Sequence, residues 1–245
     1  MGPEKISYLK RYNAKYKRIL HNFIQADIKD KPAAVILDVG CRAGVDLDEI
    51  YAAGFKGRLF GVDIDSGALG LAKKKFTSAG NICLLQADAR YLPFQSDVFS
   101  LVYSSEVIEH IDEVDVFIQD VYRILEKNGA FIVTTPSKYN YVSLIGKLIP
   151  RFLKRPIRKM VYYLRPGEDV NPHFKEYTHK ELKKIFERNR FIVEQIRPGV
   201  LRVPCWPLFE KIPLLTFIWK MLDEFLNVIP GARHLKGNFV LLARK

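Results

Sequence analysis

The segment Val35–Leu47, VILDVGCRAGVDL, decides how the rest of the chain is read. Its first residues, Val35, Ile36 and Leu37, form a short apolar run of the kind that makes a strand buried on both faces of a parallel sheet. Asp38 ends the run, Gly40 and Gly44 sit in the loop behind it, and an acidic amphipathic segment, Asp46 to Tyr51, follows. A strand passing through glycines into a helix brings backbone close to a ligand, because glycine accepts dihedrals and contacts that a Cβ forbids. The first N–H groups of the next helix then supply donors. On its own the segment fits an ordinary strand–turn–helix corner as well as a ligand loop.

Working outward, 245 residues with 48% hydrophobic content predict one α/β domain with insertions. Cys41, Cys83 and Cys205 are odd in number and widely spaced, which makes neither a disulfide framework nor a zinc site and fits a reducing cytoplasm. No metal site is predicted. The opening residues, MGPEKISYLKRYNAKYKR, lack the apolar core of a signal peptide, and no run approaches the roughly 18 apolar residues needed to span a bilayer. A net charge of +12 favours an anionic partner or surface.

Upstream, residues 3–28 read as an amphipathic helix with Tyr8, Tyr12, Tyr16, Leu20 and Phe23 on one face and lysines and arginines on the others. It either packs on the domain with a solvated basic side or forms a lid over a pocket. Downstream, the expected elements are a strand at Gly57–Val62 ending in Asp63-Ile64-Asp65, a helix over Ser66–Ser78 with Asp65 as N-cap, and a strand at Asn81–Gln86 leading to Asp88-Ala89. A strand at Val98–Ser104 follows, ending in Ser104-Ser105-Glu106 with Glu109-His110 just beyond. Asp112–Lys127 is predicted as a helix stopped by Asn128-Gly129, and Ala130–Thr135 as a strand. Asp63 lies 23 residues beyond Gly40. An acid at the tip of the second strand of such a unit accepts the hydroxyls of a ribose.

Taken together, VILDVGCRAG, FGVDID, LLQADARYLPF, FSLVYSSEVIEHI and ILEKNGAFIVTTP resemble the class I S-adenosylmethionine (SAM) methyltransferases. The nearest likeness is to the branch of quinone-biosynthesis-type, small-molecule and lipid enzymes. The resemblance covers residues 33–136, in the family's order and spacing. It implies a Rossmann-like, doubly wound, seven-stranded sheet of order 3-2-1-4-5-7-6 with the last strand antiparallel, and SAM as cofactor. Asp38, Gly40, Cys41 and Gly44 would surround the methionine part, Asp63 would hold the ribose with Ile64 beside the adenine, Asp88 and Ala89 would contact the adenine, and Ser104 and Glu106 would floor the site near the sulfonium. Arg42 stands where the family usually has glycine, so the loop is expected to adopt a conformation open to side chains. Asn128-Gly129 replaces the usual Pro-Gly-Gly turn.

Two stretches exceed the minimal fold. Residues 137–172 form a basic amphipathic insertion: between Ser137 and Gly167 there are eight basic residues and no acidic one, interleaved with apolar side chains. Such a segment lies in an anionic membrane interface, caps an active site, or forms a solvated surface helix. Residues 198–236 are apolar, and Cys205 there reads as core. Between the insertions, His173 to Thr178 matches a His-x-x-Glu-Tyr-Thr stretch that in the family lies over the acceptor, marking His173 and Tyr177 as pocket residues. Thr178 with Glu181 forms a capping box for a helix at 179–189, and strands follow at Phe191–Arg197 and Gly237–Ala243.

The expected activity is therefore methyl transfer from SAM to a small or amphipathic acceptor, such as a lipid or lipid-linked molecule, by a cytoplasmic enzyme with peripheral access to membranes. His173 and His110 are the candidate general bases, with His173 favoured, although each also serves a structural role equally well. An RNA methyltransferase draws support from the charge of +12, but Ser104-Ser105-Glu106 replaces the Asn/Asp-Pro-Pro-aromatic motif of amino-directed enzymes. Nor are aromatic and phosphate-binding features arranged as in a nucleic-acid module. A non-catalytic interaction protein is opposed by the intact Asp38, Asp63 and Asp88. A nicotinamide dehydrogenase would need G-x-G-x-x-G, which Gly40–Gly44 does not supply.

Overall fold

A computed structural model describes residues 18–138, 175–199 and 237–245, together with positions 214, 217, 218, 221, 222, 225, 228 and 229. Seven strands, β1 (Val35–Val39), β2 (Arg58–Asp63), β3 (Ile82–Gln86), β4 (Phe99–Ser105), β5 (Leu125–Pro136), β6 (Ile192–Pro198) and β7 (Asn238–Arg244), form one sheet. Its order is β3-β2-β1-β4-β5-β7-β6. The first five strands are parallel, and β7 runs antiparallel to both β5 and β6. The expected fold and strand order are those observed.

The two-residue period of β1 sorts its side chains onto opposite faces. Leu37 and Val39 enter one core with α4 (Val114–Ile124) and α5 (His179–Arg188), while Ile36 enters the other with α1 (18–28), α2 (Val45–Ala52) and α3 (Ser66–Lys75). Leu20, Phe23 and Ile24 of α1 are buried, so the described part of this helix packs on the domain by its apolar face, while Tyr8, Tyr12 and Tyr16 lie outside the described residues. His21 ties α1 to α2, its Nδ1 3.1 Å from Glu49 and its Nε2 3.7 Å from Asp46. Asp27 and Arg244 join the same helix to β7.

Helix caps follow the expected chemistry. The Asp65 side chain accepts from the Gly67 and Ala68 N–H groups at the start of α3. Thr178 and Glu181 form the reciprocal capping box of α5, with bonds of 3.1 and 2.8 Å. The stretch after α4 corrects the sequence expectation. The helix stops at Ile124, and Leu125 already pairs with Phe99 as the first residue of β5. Asn128 (φ 65) and Gly129 therefore sit in an irregularity of the β4–β5 ladder and do not end a helix. A Cβ at Gly129 would come within 2.8 Å of the Glu126 carbonyl, so backbone crowding explains the glycine. The second insertion and nearly all of the first lie outside the described residues, apart from the scattered positions of the second.

Loss of the capping box should be measurable. Thr178→Ala is expected to lower unfolding free energy by about 1 kcal/mol in urea titration, and Thr178→Ser to retain most of it.

Candidate functional site

The carboxyl ends of β1, β2 and β4 converge, because adjacent parallel strands in register end together: Val39 lies opposite both Val62 and Ser104. Open α/β sheets bind ligands at this edge, where the strand order reverses direction from β1. The loop leaving β1 is fastened to β2 by backbone bonds, with the Gly40 and Cys41 N–H groups donating to the Val62 carbonyl at 2.8 and 3.0 Å. Gly40 (φ 82) and Gly44 (φ 68) adopt the left-handed conformation that glycine tolerates, and Gly44 is the N-cap of α2. Arg42 (φ 48) is left-handed as well. The loop thus keeps a glycine-type backbone and carries a side chain on it. Its N–H is held at 2.8 Å by Asp63 Oδ2, which compensates the local strain.

Asp63, 8% exposed, stands at the tip of β2, and its second oxygen accepts the Asp65 N–H at 2.9 Å. Each carboxylate oxygen has a further lone pair for a ligand hydroxyl. Asp38 is buried next to the hydroxyl of Tyr103. Burial first, and then the charge of Asp38, push that phenol well above its ordinary range, so it stays protonated. The Cys41 thiol is likewise pushed far up by burial and by Asp38 and Asp63, which keeps it neutral and no nucleophile. Two buried carboxylates, Asp38 and Asp63, at one strand-end edge suit a cationic ligand.

The exit of β4 closes the other side. Ser104 is fully buried, and its hydroxyl has no hydrogen-bond partner among the described residues. Glu106 (φ 58) donates its N–H to the Thr134 carbonyl at 3.0 Å, and Val107 leans on Gly40. Asp38, Gly40, Cys41, Gly44, Asp63, Ser104 and Glu106 are therefore brought to one strand-end cluster. Ile64 is beside it and 68% exposed. Ala89 is half-buried, packed against the core. Asp88 departs from a simple acceptor: Arg90 clasps it, Nη2 to Oδ2 at 2.7 Å and Nε to Oδ1 at 3.1 Å. That hydrogen-bonded guanidinium holds the Asp88 carboxyl below the usual range, and Arg90 also reaches Asp112 and Glu113.

Of the two histidines, His110 is exposed on the 3-10 turn Ile108–His110, and His173 lies outside the described residues. Tyr177 is buried in the core with its phenol pushed up, chiefly by burial. Sequence reasoning passed over Glu109, which is 0% exposed and accepts the Thr135 hydroxyl at 3.0 Å. Its carbonyl takes the Lys175 N–H at 3.3 Å, linking the β4 exit to the segment before α5. A carboxylate inside the apolar-flanked IEHI was its only signal. The loop after β3 is also braced: Arg123 donates to the Phe94 and Leu92 carbonyls at 2.6 and 3.0 Å, while Asp120 accepts the Leu92 N–H at 2.6 Å.

The glycine cradle is testable. A Cβ on Gly40 would stand 2.2 Å from Val107 Cγ2 at a φ of 82. Gly40→Ala should weaken binding of SAM at least about tenfold in calorimetry, since the left-handed backbone alone costs about 1–2 kcal/mol. Adding Val107→Ala should restore part of the loss by removing the clash and leaving the strain.

The residues present fit SAM on three structural grounds: a buried cluster of carboxylates for a sulfonium and an ammonium, a cradle that a Cβ would fill, and the orphaned Ser104 hydroxyl. Comparison with known proteins agrees. The methyltransferase domain model, Methyltransf_11, matches residues 37–133. An uncharacterized protein of Methanocaldococcus jannaschii is 27% identical over 194 residues, covering 76% of this chain and 72% of the relative. A demethylmenaquinone methyltransferase of Lactobacillus johnsonii is 30% identical over 138 residues, 52% of this chain and 56% of the relative, so the chain spans little more than half of that enzyme. Among solved structures, a SAM-dependent methyltransferase of Mesorhizobium loti shares the fold with a TM-score of 0.61 at 19% identity, over 91% of this chain and 96% of that one. The domain match over residues 37–133, the strand order and the strand-end cradle agree: the chain carries a SAM-dependent methyltransferase domain.

Proposed function

We propose that this chain methylates a small amphipathic acceptor with an acidic or phosphate-bearing head, of the lipid or lipid-linked class. The observation that carries the reading is the composition of the two insertions, one with eight basic and no acidic residues between Ser137 and Gly167, the other apolar from Pro198 to Lys236. Basic groups would take the head and apolar ones the body. A relative named for demethylmenaquinone methylation supports an apolar acceptor.

In this reading Asp38, Gly40, Cys41 and Gly44 surround the methionine part of SAM, Asp63 receives the ribose hydroxyls, and Ile64, Asp88 and Ala89 border the adenine. Ser104 and Glu106 form the floor under the reacting centre. SAM brings an activated methyl on a sulfonium leaving group. The chain's own task is then to align the acceptor and exclude water. A base removes the acceptor proton where the acceptor is a weak acid. His173, in the stretch the family places over the acceptor, is the better candidate, because His110 is exposed at the outer end of its turn. An imidazole has the right range for that task near pH 7.

Two measurements test this. Asp63→Ala should weaken SAM binding by about 2–3 kcal/mol, the worth of hydrogen bonds to a buried charge, and Asp63→Asn, which keeps one acceptor oxygen, by less; equal affinity for all three would remove Asp63 from the site. With an acceptor in hand, His173→Ala should lower turnover about 10²–10⁴-fold at nearly unchanged SAM affinity. Near-normal turnover in both His173→Ala and His110→Ala would leave positioning and desolvation as the whole of catalysis. Turnover on RNA and none on any lipid-like acceptor would favour the nucleic-acid reading that the charge of +12 keeps in view.

A further inference from the structure

Tyr103 of β4 stands opposite Asp38 in the β1–β4 register. Partners on adjacent parallel strands point to the same face. Here it is the face covered by α1, α2 and α3, where Leu101, Tyr103 and Cys41 are core residues. Tyr103 is 0% exposed and Asp38 2%. A phenylalanine would fill that core without burying an oxygen, and a buried hydroxyl destabilises the fold unless it bonds. Among the described residues the Tyr103 hydroxyl meets no partner at full hydrogen-bond geometry. After burial itself, the groups that bear on it are Asp38 first and then Asp46, with Asp38 the side chain placed to accept from it. Burial and these two charges keep the phenol protonated, so toward a carboxylate it is a donor. Asp46 has other company, since His21 Nε2 of α1 is 3.7 Å away and the first turn of α2 favours an acid. The phenol is therefore left to serve Asp38.

We propose that Tyr103 is a positioning residue for the cofactor: its hydroxyl donates to Asp38 and fixes the carboxylate that receives the cationic methionine end of SAM. The terminal torsion of an aspartate is broad, so its own rotamer does not set where the oxygens point. A donor held by a buried ring does. The chemistry of the donor matters as well. A lysine or arginine in that place would orient Asp38 and cancel its charge, whereas a neutral phenol orients it and leaves the charge for an ammonium or sulfonium. A ligand cation that steadies the carboxylate lets the phenol close on it, as such bonds tighten in the bound complex. The inference rests on the reading that sets Asp38 beside the methionine part of SAM, and Tyr103 acts only through that residue.

The test is calorimetry of the full chain with two ligands, SAM and methylthioadenosine. The second keeps the adenosine part and carries a neutral thioether in place of the charged methionine end. Tyr103→Phe should weaken SAM at least about tenfold and leave methylthioadenosine binding unchanged, which also proves the fold. Asp38→Asn should likewise weaken SAM alone. Adding Tyr103→Phe to Asp38→Asn should then lose little more, because the two residues act as one unit. Wild-type SAM affinity in Tyr103→Phe, beside a loss in Asp38→Asn, would overturn the proposal and leave Asp38 in the site. Full additivity of the two losses would overturn it as well. Equal loss of both ligands in Tyr103→Phe would make the role of the hydroxyl structural, and would overturn it too. Wild-type SAM affinity in Asp38→Asn would remove Asp38 from the methionine end, and the proposal would fall with that reading.

Discussion

One carboxylate holds the working end of this protein together. Asp63 takes the Arg42 N–H from the loop after β1 and the Asp65 N–H from the turn into α3, and its carbonyl receives the Ala87 N–H from the end of β3. Three segments leaving three strands are thereby fixed to one residue. Hydrogen bonds to a charged acceptor are each worth about 1.5–3 kcal/mol, enough to hold Arg42 in a left-handed backbone that costs less. Burial, and then Asp38 and this same carboxylate, keep the Cys41 thiol neutral. Structure and electrostatics of the cradle thus share one origin.

That arrangement explains how the family's chemistry is accommodated by so little apparatus. Where the leaving group is carried by the cofactor, a rigid frame and a dry site are the chief requirements. The frame is provided by strands ending in register and by loops tied to one another: Gly40 against Val107, Glu106 to Thr134, Glu109 to Thr135. Two insertions, 137–172 and 198–236, interrupt the sequence of that frame. Those are the parts in which this chain departs most from a minimal fold, one rich in basic residues and one in apolar ones.

The sheet was legible because each strand of the core is a short apolar run punctuated by glycine or aspartate, and because five such runs in fixed order match one family. The cluster at the strand ends was legible for the same reason, since it is built from the residues that close those runs. What escaped was decided by contacts distant in sequence. Leu125 leaves the helix because Phe99 offers it a strand partner. Arg42 remains left-handed because Asp63 secures its N–H. Asp88 is clasped by Arg90, which Asp112 and Glu113 also hold. Tyr177, singled out by its motif, has its ring in the core. Glu109 gave almost no signal, because a buried carboxylate and an exposed one look alike in a sequence.

The central claim is that SAM occupies the cradle formed by the ends of β1, β2 and β4. Hydrogen–deuterium exchange with and without SAM tests it most directly, because amides that the ligand covers or steadies exchange more slowly. The account predicts slowed exchange in peptides spanning Val39–Gly44, Asp63–Asp65 and Ser104–Val107, with α5 unchanged. Binding of SAM that leaves the Val39–Gly44 loop and Asp63–Asp65 unprotected would contradict it.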